Sequence, residues 1–95
     1  MTLTITTISW GIDRRTGERS ENVVGKDSFE AKVGPVGPVG AGPRKATFQI
    51  LSVEEDGILI HLSDKLKDLP LKVGQTYTHR PFSMDAGFIY HFELN

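Results

Sequence analysis

The chain predicts an all-β domain: a small antiparallel β-sandwich or partly open β-barrel of about six to eight strands, with one or two short helical turns. Three observations carry that expectation. Residues 2–10 are dominated by β-branched and aromatic side chains, which suit a pleated, half-buried surface. Residues 87–94 alternate strictly, with Phe88, Tyr90, Phe92 and Leu94 on one face and Ile89, His91 and Glu93 on the other. Between them, the β-rich runs 45–53 and 58–63 are joined by Glu54-Glu55-Asp56-Gly57, an acidic tip whose Asp-Gly pair suits a hairpin turn. No strand–helix alternation is present, so a parallel sheet is not expected.

The elements follow in order. Within 2–10, Leu3 and Ile5 share one face while Ile8 and Trp10 fall on the other, so an irregularity near Thr6-Thr7 is needed to bring all four inside. Residues 13–18 form a turn in which Gly17 takes the positive φ, and 19–24 return as a weaker strand. Residues 27–34 carry two conflicting signals. Asp27, Glu30, Gly34 and Pro35 are placed as helix start and stop residues, whereas Phe29, Ala31 and Val33 alternate with polar neighbours as in a strand. So short a helix is marginal alone, and strand is the preferred reading with helix as the alternative.

Residues 34–43 hold four of the ten glycines and three of the five prolines and carry no charge before Arg44. Proline offers no N–H to a ladder and glycine loses the most freedom on ordering, so this stretch is neither a helix interior nor a central strand. A long surface loop is expected, replaceable by Asn-Gly over 35–42 without loss of the fold. After the 45–63 hairpin, Ser63 caps a single helical turn with Leu66 and Leu69 one turn apart and Pro70 as its stop. Residues 71–79 then read as a strand interrupted at Gly74 by a bulge or close approach.

Ninety-five residues make one domain, 1–95, with room for a modest core. Cysteine is absent, so the core must hold the fold without disulfides or thiolate-bound metal. Eleven Lys and Arg against twelve Asp and Glu give a net charge of −1, and the signs interleave, as in Asp13, Arg14, Arg15, Glu18, Arg19, Glu21. There is no polybasic face, so neither nucleic acid nor a membrane surface is an expected partner. No segment approaches the roughly 18 apolar residues of a membrane span, nor does the N-terminal stretch read as a signal peptide, and the expected location is the cytoplasm.

No catalytic constellation stands out. The Gly/Pro stretch has no phosphate-loop lysine, and its prolines remove amides that would cradle a phosphate. His61, His79 and His91 fall on separate strands without metal-ligand spacing, so no metal and no cofactor are expected. His79, Ser83 and Asp85 lie within seven residues, but triad geometry is a spatial property, and an ordinary turn with Pro81 and Asp85 explains them. The leading expectation is therefore a non-enzymatic protein-binding or assembly module that takes a protein partner or a second copy. Its contacts would be Pro35, Val36, Pro38, Val39 and Arg44, with the two valines presented in polyproline-like geometry. The alternative is a small-molecule-binding β-barrel or small enzyme with a polar site near His79, Arg80 and His91. Exposed strand edges are expected in so small a sheet, and pairing between copies is a common way to cover them.

Overall fold

A computed structural model of the chain describes residues 1–40, 42–62 and 68–95. Eight strands form: β1 (Thr2–Ile12), β2 (Arg19–Glu30), β3 (Gly34–Val39), β4 (Ala46–Val53), β5 (Gly57–His61), β6 (Leu69–Lys72), β7 (Thr76–His79) and β8 (Ala86–Leu94). They make two antiparallel four-stranded sheets, in the orders β2-β1-β8-β7 and β3-β4-β5-β6. Each sheet keeps two free edges, so the architecture is the sandwich and not the barrel. No helix occurs among the described residues, and most of the helical turn expected over 63–69 lies outside them. The molecule measures 50 × 25 × 25 Å, because β1 and β2 run 11 and 12 residues while β6 and β7 run only 4.

One core lies between the sheets. The last strand supplies Tyr90, Phe92 and Leu94, with Phe88 packed beside them, as its alternation predicts. Opposite them stand Phe48 and Ile50 of β4 and Ile58 and Ile60 of β5, all at 3% exposure or less. Phe48 makes the inter-sheet contact: its ring meets Tyr90 at 5.3 Å and Phe92 at 5.1 Å, both edge to face, the geometry in which ring edges meet electron-rich faces. Burial pushes the Tyr90 hydroxyl above the usual tyrosine range.

Three irregularities set which side chains reach this core. In the β1–β2 ladder the register shifts between Thr7 and Ile8, close to the expected place. The extra residue is Val24 of β2, however, because β1 stays in unbroken register with β8 from Leu3 to Gly11. Leu3, Ile5 and Thr7 therefore face the core, while Ile8 and Trp10 remain on the outer face. In the β4–β5 hairpin the extra residue is Leu51, which leaves Ile50 opposite Ile60 and Ser52 opposite Leu59. Gly57 does not need a positive φ there; a Cβ on it would stand 2.6 Å from the Leu71 carbonyl oxygen, so β6 could not pair so closely with any other residue. The strand reading of 27–30 holds within β2, and Gly74, at φ +89°, is the turn by which the chain passes from β6 in one sheet to β7 in the other.

The Gly/Pro stretch corrects the loop expectation. Residues 34–39 are β3, an edge strand on β4, where proline is tolerated because one side of the backbone has no partner. Gly37 and Pro38, joined by a cis peptide, stand together against Thr47, between the pairs Val36–Phe48 and Val39–Ala46. That two-against-one bulge re-phases the strand, so Val36 and Val39, three apart, both point inward at 3% and 1% exposure. Gly37 takes φ +132°, and a Cβ on it would stand 2.8 Å from the Ala46 carbonyl oxygen. Glycine is required there on both counts.

On this geometry Ile60→Ala, which empties the centre of the core, should lower stability by about 2–5 kcal/mol, whereas His61→Ala on the outer face should cost less than ~1 kcal/mol. Denaturant melts of the two variants check the register; the reverse order would place β5 one residue out of phase.

Candidate functional site

The two faces of the β7–β8 end separate the residues that the sequence brings close. In the β7–β8 ladder Thr78 pairs with His91 and His79 with Tyr90. His79 therefore points into the core, 2% exposed, stacked on Tyr90 at 6.2 Å and edge-on to Phe48. His91 lies on the outer face and shares a hydrogen bond of 3.1 Å with the Thr78 hydroxyl. Arg80 is exposed on the connection that follows β7. The polar site expected from His79, Arg80 and His91 is thus not assembled. His61 lies on the outer face of the other sheet, 2.8 Å from Asp68, so it meets neither of the other histidines. Among the described residues no cluster of metal-ligating side chains occurs.

The contact residues expected in the Gly/Pro stretch also divide. Val36 and Val39 belong to the core and are not available to a partner, which corrects their assignment, while Pro35, Pro38 and Arg44 are exposed on the edge of β3 and the connection after it. What this edge offers is limited. Prolines blunt β3 and β6, β7 is only four residues long, and β2 combines its bulge with Asp27 on the core-facing side opposite Ile5. Each of these devices discourages another strand from adding on.

A different surface emerges at residues 80–85. Phe82 is 93% exposed and Met84 78%, flanking Ser83 on the connection between β7 and β8. The segment is held in place at several points. The Ile12 amide donates to the Asp85 carbonyl at 2.8 Å, the Arg14 guanidinium binds the Asp85 carboxylate, and the Ser83 hydroxyl donates to the Ala86 carbonyl. Gly87 lets Ser83 settle on the sheet: a Cβ there would stand 2.9 Å from Ser83 Cβ and 3.2 Å from Trp10 Nε1. Beneath the segment, on the outer face, Trp10, Arg19, Arg80, Pro81, Ser83 and Ile89 line a recess of about 210 Å³. Ile89 is 2% exposed there without belonging to the main core, and the Arg19 guanidinium sits 4.7 Å from the centre of the Trp10 ring.

At the far end of the molecule a second recess of about 180 Å³ lies beside the β4–β5 tip, lined by Ser52, Leu59 and Pro70 and rimmed by Glu54, Asp56 and Lys72. The Lys72 ammonium donates to Asp56 at 2.9 Å, and that bond, with its charge, holds the Asp56 carboxyl below the usual carboxylate range. Both recesses fall short of the roughly 300–1,000 Å³ typical of small-ligand pockets.

No protein-family model matches the chain, and neither a curated protein nor a solved structure gives a significant match to it. No helix among the described residues is long and apolar enough to cross a membrane.

The 80–85 surface was not legible as such, because Phe82 and Met84 carry no pattern and exposure is a property of the fold. One signal was present: Phe82 and Met84 lie in a Pro-containing connection between two strands, where large apolar residues have no inner face to occupy. Gly87→Ala should displace this segment and lower stability by about 1–3 kcal/mol. Emission from Trp10, the sole tryptophan, reports the displacement; an unshifted spectrum and an unchanged melt would show that the segment does not depend on the close approach.

Proposed function

We propose that the chain is a non-enzymatic protein-binding or assembly module whose contact surface is the 80–85 segment. The exposure of Phe82 carries this reading. A phenyl ring held in water on an anchored segment forfeits the burial that drives aromatic residues inside, and buried aromatics are what dominate the energy of protein interfaces. Anchoring matters as much as exposure. Because hydrogen bonds and the Arg14–Asp85 pair already order residues 83–86, little freedom is lost when a partner covers Phe82 and Met84. The blunted strand edges favour contact through side chains over strand addition.

The small-molecule or enzymatic alternative has less to support it, since His79 and His91 face opposite sides of their sheet and neither recess reaches the usual ligand-pocket size.

A double variant, Phe82→Ser with Met84→Ser, tests the proposal as bait in affinity capture from the native source. We expect its melting temperature to stay within a few degrees of the parent, as surface changes allow, while retention of any captured protein falls by on the order of tenfold or more. Equal retention by both baits would refute the assignment of the surface.

A further inference from the structure

We infer that the occupant of this surface is a second copy of the same chain, docked head to tail. Phe82 of one molecule enters the recess beside the β4–β5 tip of the next, with Arg80 facing that tip's carboxylates. The inference rests on the reading of 80–85 as a contact surface and names its partner.

The ladders place the two surfaces at opposite ends. Ile12 bonds to Asp85 where β1 ends and β8 begins, so the 80–85 segment lies at that end. At the other end, Gly74 donates to the Leu94 carbonyl and Val73 to the Asp56 carbonyl, which brings the β6–β7 turn, the end of β8 and the β4–β5 tip together. The nine residues of β8 run from one end to the other, a span of roughly 30 Å at about 3.3 Å per residue. A knob at one end and a hole at the other make a heterologous contact, which propagates into rows or rings and does not close as a two-fold dimer.

Size and charge both match. A recess of about 180 Å³ with an apolar floor at Leu59 and Pro70 suits a single side chain, not a metabolite. Among the described residues Arg80 has no ion pair, and neither Glu54 nor Glu55 has one, whereas the recess's own cation, Lys72, is already bound to Asp56. Opposite unpaired charges therefore flank the knob and the hole. The reverse arrangement, Phe82 against Phe82, would set Arg80 against Arg80 and is opposed by that repulsion. A contact this small gives weak association that rises with concentration and falls with salt.

The test uses the full chain, Phe82→Ser, Leu59→Lys and their equimolar mixture, each followed by sedimentation velocity over a concentration series. Leu59→Lys fills the recess with a cation that also repels Arg80. Thermal melts within a few degrees of the parent establish that both variants fold, and Glu54→Lys with Glu55→Lys, on the exposed tip, blocks the same end without touching the sheet. We expect the parent's mass-average to climb past that of a dimer, each blocked variant to stay monomeric, and the mixture to assemble but stop at the dimer. In that mixture only one intact knob can meet one intact hole. A monomeric parent would overturn the inference, as would a mixture that stays monomeric while the parent assembles. A monomeric parent that still captures another protein through Phe82 would remove the self-assembly alone. Phe82→Ser that both assembles and captures like the parent would remove the contact surface as well.

Discussion

The structure depends on a strand made from a sequence with almost no strand propensity. Gly34–Val39 forms the edge of its sheet because only glycine lets the backbone at position 37 approach the Ala46 carbonyl, and because the Gly37–Pro38 bulge turns both valines inward. Val36 stands directly opposite Phe48, the residue whose ring meets Tyr90 and Phe92 across the sandwich. Remove the strand and β4 becomes an edge, with the inter-sheet ring contact left open on one side. The prolines that would break a central strand are useful here, since each removes an N–H donor from an edge on which another chain could pair.

With the sheets fixed in this way, the contact surface follows from strand length. β7 stops opposite Tyr90, and beyond that point the outer face of β1, β2 and β8 carries Trp10, Arg19 and Ile89. The 80–85 segment folds back onto this face and is tied to the first hairpin by Ile12 and Arg14. The exposed Arg14–Asp85 ion pair adds little stability by itself, but it helps order the segment that presents Phe82. Ser83 lies close over Gly87, and Phe82 and Met84 on either side of it stay exposed.

Much of the fold was legible in the sequence where periodicity spoke clearly. Alternation assigned Phe88, Tyr90, Phe92 and Leu94 to the core and placed His61 and His91 outside it. It failed where a bulge changed the phase. Val36 and Val39 are three apart, a spacing that reads as no strand at all until one extra residue is inserted between them. Gly57 was legible as a turn residue for the wrong reason, because close approach of β6 is a long-range fact that no local pattern carries. The candidate site was the least legible part. His79 and Arg80 are adjacent in sequence, yet one faces the core and the other solvent, and the seating of Ser83, next to Phe82, involves the close approach to Gly87 of β8.

The most direct test of the account is replacement of residues 35–42 by Asn-Gly, followed by a denaturant melt and far-UV circular dichroism. If the Gly/Pro stretch is a strand of the core, the shortened chain loses Val36 and Val39 together with one edge of a sheet, and its cooperative transition should disappear. A cooperative melt within a few degrees of the parent would contradict the account and return the stretch to the surface loop that its composition predicts.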